Sequence, residues 1–128
     1  MHQEIPWEKM SIEAWKVREN SFIFGNTKVG AAVFTSNGNI YTGCNIEHIY
    51  RSHDIHAEVN AIGNMVASGE LKFLGILIVA DRDFFTPCGG CMDWIMQHGE
   101  ENCMVGFENI NKVLNTFHAK ELMPYYPT

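Results

Sequence analysis

The segment at 73–80 constrains the fold more than any other part of the chain. Its sequence, FLGILIVA, contains no charged or polar side chain and is rich in β-branched residues. A strand with one solvent-facing side alternates apolar and polar residues, whereas a strand buried on both sides reads as a continuous apolar run. The segment therefore predicts a central strand in a sheet that is covered on both faces.

The rest of the sequence supplies helices and further strands for such a sheet. An Asn-Gly pair at 37–38 lies between two apolar runs, which is typical of a tight β-hairpin. Helical and strand patterns alternate along the chain, and this order is typical of an α/β fold with helices on both faces of a sheet. We predict helices at 7–20, 57–68, 91–97 and 119–122, and strands at 29–34, 40–44, 73–80, 103–107 and 112–117.

Length and charge limit the possible functions. The 128 residues, 46% of them hydrophobic, predict a single domain over 1–128, since two domains would each be too small to bury a good core. The formal net charge of −6 disfavours a nucleic-acid polymer as partner, because gripping a phosphate backbone needs clustered basic charge. No apolar run approaches the ~20 residues of a membrane span, and the first residues lack the pattern of a signal peptide. We therefore expect a soluble, cytoplasmic protein with no membrane partner.

Two short motifs carry the chemistry. His-Ala-Glu at 56–58 opens one predicted helix, and Pro-Cys-Gly-Gly-Cys at 87–91 opens the next. Either motif alone is weak evidence, because a Cys-x-x-Cys pair also occurs in structural zinc sites and in redox dithiols. Together they form the His-x-Glu…Pro-Cys-x-x-Cys signature of zinc-dependent nucleobase deaminases. The two remaining cysteines, Cys44 and Cys103, lie in apolar segments and are expected to be core residues.

The residue types in these motifs suit a catalytic zinc site. Zinc binds nitrogen and sulfur ligands in a tetrahedron, and His56, Cys88 and Cys91 supply three of them. No fourth protein ligand is evident nearby, and an open position is typical of catalytic zinc, where bound water becomes acidic. Glu58 follows His56 by two residues and is placed to accept a proton. The sequence therefore predicts Zn²⁺ as cofactor and Glu58 as the catalytic acid–base.

Beyond these two motifs, the chain resembles the cytidine deaminase family, which includes the blasticidin S deaminases. The resemblance runs from about 29 to 124 and includes Val-Gly-Ala-Ala at 29–32, Gly-Cys-Asn-Ile-Glu at 43–47 and Glu-Leu-Met-Pro at 121–124. It implies a three-layer α/β/α fold around a five-stranded mixed sheet. It also implies hydrolysis of the cytosine 4-amino group to a carbonyl.

The same resemblance implies roles for individual residues and a form of assembly. Asn45 and Glu47 would hydrogen-bond ribose hydroxyls, and the Ala57 N–H would hold the base carbonyl. A homo-oligomer is implied, a tetramer or alternatively a dimer, acting on a small-molecule nucleoside in a role such as pyrimidine salvage. The residues matched by the family's zinc motifs are the ligands His56, Cys88 and Cys91 and the proton shuttle Glu58.

Several positions depart from the family's usual pattern. Many short members have cysteine as first ligand and arginine after Ala-Glu, where this chain has His56 and Val59. The two changes are consistent, because two thiolates place less negative charge on zinc than three and need less compensation. Thr27 stands where an aromatic residue is common, and Arg51 and His53 stand in a segment usually occupied by a Tyr and a Ser-rich stretch.

These departures leave the substrate open at the level of sequence. Cytidine, deoxycytidine or a modified cytidine is the leading hypothesis. An aminonucleoside antibiotic such as blasticidin S is an alternative, and a non-catalytic structural zinc module is an alternative from a different class. Tyr125 and Tyr126 either reach the active site of a neighbouring subunit or form a loose tail.

Overall fold

Helices and strands follow one another along residues 4–127, the part of the chain that the computed structural model describes. Within those residues no helix has the length and apolar content needed to cross a membrane. The elements in chain order are α1 (Trp7–Arg18), β1 (Val29–Phe34), β2 (Ile40–Cys44), a 3-10 turn (Arg51–His53), α2 (Ala57–Ala67), β3 (Phe73–Ala80), α3 (Gly89–His98), β4 (Gly99–Glu108), β5 (Leu114–His118) and α4 (Ala119–Leu122).

The five strands form one mixed sheet with the order β2-β1-β3-β4-β5. The pair β3–β4 is parallel and the other neighbouring pairs are antiparallel. As the apolar run predicted, β3 is the central strand, and all of its residues except the half-buried Leu74 are buried. The predicted five-stranded mixed sheet is confirmed.

Helices cover both faces of the sheet because successive strand residues point to opposite sides. On one face, Ala32 and Phe34 pack with Met10 and Ala14 of α1. The opposite face forms a larger core against α2, α3 and α4, which includes Ala31, Val33, Ile62, Met65, Ile95 and Ala119. The result is the three-layer α/β/α architecture.

Gly43 fixes the position of α2 over the sheet. A Cβ atom at this residue would lie 2.3 Å from the backbone nitrogen of Ala61, so only glycine allows so close an approach. Nearby, the Cys44 N–H donates to Oδ1 of Asn60 at 3.0 Å. These contacts hold α2 against the end of β2, and they bring the segment at 43–47 close to the start of the helix.

The observed elements differ from the predicted ones mainly at their ends. Helix α3 begins at Gly89, two residues before the predicted start, because the Cys88 sulfur accepts the Cys91 N–H at 3.4 Å and caps the helix. Strand β5 begins at Leu114 and not at 112, because Lys112 has a φ of 64°, a left-handed conformation that a strand does not contain. The 3-10 turn at Arg51–His53 was not predicted.

Glu70, just after α2, ties the β1–β2 hairpin to that helix. Its carboxylate accepts hydrogen bonds from Nδ2 of Asn37 at 2.8 Å, Nδ2 of Asn39 at 2.9 Å and the hydroxyl of Tyr41 at 2.6 Å. These donors, Tyr41 first, lower the pKa of Glu70 to about 2. The ionised carboxylate therefore stabilises the folded chain above the unfolded pKa of 4.5, and this contribution is lost as the pH falls towards about 2.

We predict that Glu70→Gln lowers the melting temperature at pH 7 and that this deficit disappears in acid. A carboxyl whose pKa is depressed in the folded state contributes stability above its unfolded pKa, 4.5, and loses it as the pH falls towards about 2. Thermal melts of the wild type and the variant between pH 2 and pH 7 measure the deficit. A deficit that is equally large at the two ends of this range would contradict the assignment.

Candidate active site

The three residues predicted as ligands converge at the start of two helices. His56 immediately precedes α2, Cys88 precedes α3, and Cys91 lies in the first turn of α3. Nδ1 of His56 lies 3.2 Å from Sγ of Cys91 and 3.5 Å from Sγ of Cys88. Ligand atoms from all three residues lie within 4.8 Å of one another, which is close enough for one metal ion to contact them all.

The chemistry of this donor set fits zinc. One imidazole nitrogen and two thiol sulfurs are typical ligands of tetrahedral Zn²⁺. Burial raises the pKa of the Cys91 thiol, and the neighbouring Glu58 and Cys88 raise it further. A thiolate at this position therefore needs a cation beside it. The N-terminal ends of α2 and α3 add partial positive charge, and Zn²⁺ supplies the rest.

Glu58 lies beside this group without belonging to it. The residue is in the first turn of α2, and only 6% of its surface is exposed. Burial raises the pKa of its carboxyl group. A carboxyl in this position can hold a proton next to the metal group and away from bulk water.

A cavity of about 270 Å³ opens in front of the metal group. Its walls contain each of the residues that the sequence assigned to substrate binding, Asn45, Glu47 and Ala57, together with Glu58. Part of the wall is apolar and suits the face of a planar ring. The apolar lining residues are Val29, Ile55, Ile78, Ala80 and Phe85.

Asn45 is held by hydrogen bonds to the backbone at the start of β1. Its Oδ1 accepts the Val29 N–H at 2.9 Å, and its Nδ2 donates to the Thr27 carbonyl at 2.9 Å. An amide side chain has two donors and two lone pairs on its oxygen. These two contacts therefore leave one donor and one lone pair of Asn45 unused.

Glu47 is held in a similar way by the segment after α1. Its Oε1 accepts the N–H groups of Phe24 at 2.7 Å and Gly25 at 2.9 Å. These two donors, Gly25 first, lower the pKa of Glu47, and the nearby Arg51 lowers it further. The side chain is therefore a fixed, ionised acceptor.

Ala57 also lines the cavity. It is the first residue of α2, and the first N–H groups of a helix have no acceptor within the helix. Its amide therefore has a free donor, and its role in holding the base carbonyl stays a prediction.

Ten of the sixteen residues that line the cavity were not predicted as site residues, among them Arg51, Arg82 and Phe85. Arg82 and Phe85 lie in the connection between β3 and α3, and Arg51 lies in the 3-10 turn. The sequence pattern did not identify Phe85, although it precedes the Pro-Cys motif by only two residues. Thr27 stands where an aromatic residue is common in the family. This absence is a reason to look for a substitute aromatic residue near the zinc motifs, and Phe85 is such a residue.

Other residues considered from the sequence lie outside the metal group. His53 is exposed, and its ring packs against that of His48 with a centroid distance of 5.0 Å. Tyr125 is 96% exposed, whereas the hydroxyl of Tyr126 donates to Asp93 in α3. The C-terminal segment is therefore attached to the body of the protein through Tyr126.

Comparisons with known proteins agree with the site geometry. Residues 6–107 match the family described as the cytidine and deoxycytidylate deaminase zinc-binding region. A cytidine deaminase of Sporosarcina psychrophila is 31% identical over 119 residues, which cover 91% of this chain and 88% of that protein. Both zinc motifs lie within the residues matched by the family.

Solved structures share the fold. The crystal structure of a cytidine deaminase from Burkholderia pseudomallei superposes with a TM-score of 0.91 at 26% identity, covering 96% of this chain and 100% of that one. The cytidine deaminase of Mycobacterium tuberculosis shares the fold with a TM-score of 0.83 at 20% identity, covering 98% of this chain and 99% of that one.

We predict about one zinc per chain in the purified protein, and its loss in Cys88→Ser and in Cys91→Ser. Both variants should also melt at a lower temperature, because the free energy of binding a metal contributes to folding. Metal analysis together with thermal melts checks this. Cys44→Ser is the matched control, since it changes a buried cysteine outside the group and should keep its zinc. Full zinc content in both ligand variants would show that the metal is bound elsewhere.

Proposed function

This chain belongs to the cytidine and deoxycytidylate deaminase family, and from that premise we propose that it deaminates a free cytidine-type nucleoside. Membership makes it a zinc-dependent hydrolytic deaminase, which favours a catalytic site over a structural zinc module. The finer proposal concerns the substrate, which we take to be cytidine, deoxycytidine or a modified cytidine. It is supported above all by one observation, that Asn45 and Glu47 line the same cavity as the metal group and Glu58.

Hydrogen-bond capacity supports a substrate that carries a sugar. Glu47 has about four lone-pair sites, of which two backbone N–H groups and one contact with Arg51 use three. Asn45 keeps one N–H. A hydroxyl group can donate to a carboxylate and accept from an amide at the same time. The pair is therefore suited to a sugar hydroxyl, which free cytosine lacks.

We propose that the ligands His56, Cys88 and Cys91 hold the zinc, which when bound would act as a Lewis acid and lower the pKa of water at its open position. The Ala57 N–H would orient the base by donating to its ring carbonyl. Glu58 would take a proton from the attacking water and pass it to the ring nitrogen.

Product release completes the proposed role of Glu58. The second proton of the attacking water, carried by the hydroxyl that is now on the ring carbon, must reach the amino group before it can leave as ammonia, and the same carboxylate would transfer it. The new C=O bond replaces the C–N bond, so that one water is consumed and one ammonia is released. The apolar wall that includes Phe85 would exclude other water from the ring.

The overall charge supports a small-molecule substrate. The formal net charge is −6, and the cavity wall itself carries Glu47, Asp54 and Glu58 against Arg51 and Arg82. Such a surface disfavours a polyanion. We therefore propose a free nucleoside in preference to RNA or DNA.

We further propose that residues 1–128 act as one domain, in the cytoplasm, as a homo-oligomer. The single five-stranded sheet supports one domain, and four free cysteines are compatible with a reducing compartment. Several large apolar side chains are exposed on the segments that carry the cavity rim, which supports burial against another copy. These are Phe22, Phe24, Ile49, Tyr50 and Ile55. Light scattering would distinguish a tetramer from a dimer or a monomer.

We predict that the purified protein deaminates cytidine or deoxycytidine faster than cytosine. Asn45→Ala and Glu47→Ala should each lower kcat/KM for the nucleoside by about 5- to 150-fold, as expected for the loss of ~1–3 kcal/mol of hydrogen bonding. Ultraviolet assays with cytidine, deoxycytidine, cytosine, N4-modified cytidines and blasticidin S measure both effects.

The panel distinguishes a nucleoside substrate from a free base and from an aminonucleoside antibiotic. A preference for cytosine, with no effect of the two substitutions, would contradict the nucleoside proposal while leaving the deaminase intact. Turnover of blasticidin S alone would replace the proposed substrate with an aminonucleoside antibiotic.

A further inference from the structure

Arg51 bridges two carboxylates at the edge of the active-site cavity. Its Nη2 lies 3.2 Å from Oε2 of Glu47, and its Nε lies 2.9 Å from Oδ2 of Asp54. The two acidic side chains are only 12% and 15% exposed, whereas Arg51 is 58% exposed. A planar guanidinium with several fixed donors can bridge two carboxylates in this way, whereas an ammonium is a single point charge.

The loop that carries Arg51 does not need this bridge in order to close. Its two ends are joined by paired backbone hydrogen bonds, from the Ile46 N–H to the Ile55 carbonyl and from the Ile55 N–H to the Ile46 carbonyl, both at 2.8 Å. Ion pairs made by exposed side chains contribute little to stability. We therefore expect the bridge to affect mainly the orientation of the two carboxylates, and to contribute little to the stability of the loop.

The two oxygens of Glu47 are held by different parts of the chain. Oε1 is fixed by the backbone N–H groups of Phe24 and Gly25, and Oε2 contacts Arg51. Without the guanidinium, Oε2 would lose the ion pair that offsets the nearby charge of Asp54. With Oε1 still bound to the two N–H groups, the carboxylate could then pivot about that oxygen, and the free lone pair would no longer point in one direction.

We propose that Arg51 is a positioning residue for substrate binding, which fixes Glu47 so that one lone pair of its carboxylate faces a substrate hydroxyl. This inference rests on the proposed function, because it requires Glu47 to accept a hydrogen bond from the substrate. It assigns a role to a residue outside both zinc motifs, and it makes the loop at 46–55 part of the specificity of the enzyme.

A double-mutant cycle with Arg51→Gln and Glu47→Gln tests the proposal. With cytidine as substrate, Arg51→Gln should raise KM about tenfold, as one weakened hydrogen bond would, and leave kcat and zinc content near the wild-type values. In the Glu47→Gln background the same substitution should have almost no further effect on KM. Arg82→Gln is the matched control, because Arg82 also lines the cavity but forms no ion pair with any described residue. The effect of Arg82→Gln on KM should be the same in the wild-type and the Glu47→Gln backgrounds.

Equal effects of Arg51→Gln in the two backgrounds, or a loss of zinc with the loss of activity, would overturn the proposal. The first result would mean that Arg51 acts independently of Glu47, and the second that it supports the loop leading to His56.

A wild-type protein inactive on cytidine, deoxycytidine and N4-modified cytidines would instead contradict the proposed function. In that case crystal structures of the wild type and of Arg51→Gln still test the positioning role. The proposal predicts that Glu47 loses its single conformation in the variant, and an unchanged Glu47 would overturn it.

Discussion

The contact between the start of α2 and the start of α3 is the constraint on which the rest of the site depends. His56 and Cys91 belong to different helices, yet Nδ1 and Sγ lie 3.2 Å apart. This proximity requires both helices to pack on the same face of the sheet and to begin at the same edge. The central strand β3 supplies that edge, since it ends at Ala80, whose register partner Val29 begins β1, and both residues line the cavity. The sheet therefore serves as the rigid support for a site built from helix ends and loops.

The part of the cavity wall that contains Asn45 and Glu47 also depends on the sheet for its position. Gly43 allows α2 to approach β2, and the chain that leaves β2 immediately supplies Asn45 and Glu47. The loop that follows returns through the paired backbone of Ile46 and Ile55 to His56. The proposed substrate-binding residues and the predicted metal ligand His56 thus lie at the two ends of one closed loop. We therefore expect that a change within the loop can alter substrate affinity while the metal group stays assembled.

The central strand and the helix starts that carry the metal group could be predicted from the sequence, because each is determined by residues that are close together in the chain. The apolar run at 73–80 is typical of a strand buried on both faces, and the two zinc motifs were predicted at helix starts, where the structure has them. The Arg51 bridge could not be predicted in this way. Its partners lie four residues before and three residues after it, and only the folded turn shows that they share one guanidinium. Phe85 was missed for a related reason, since a loop aromatic has no periodicity that marks it as part of a cavity wall.

We propose that Glu58 performs proton transfer beside a zinc ion that other residues hold. Glu58→Gln keeps the shape and the hydrogen bonding of the side chain, but it cannot accept and return a proton. The most direct test measures zinc content, melting temperature and cytidine turnover of this one variant. The account predicts zinc content and melting temperature near the wild-type values, with turnover lower by at least ~10²–10⁴-fold, the usual effect of losing a general acid–base. Near-normal deamination by Glu58→Gln, or a loss of zinc that matches the loss of turnover, would contradict it.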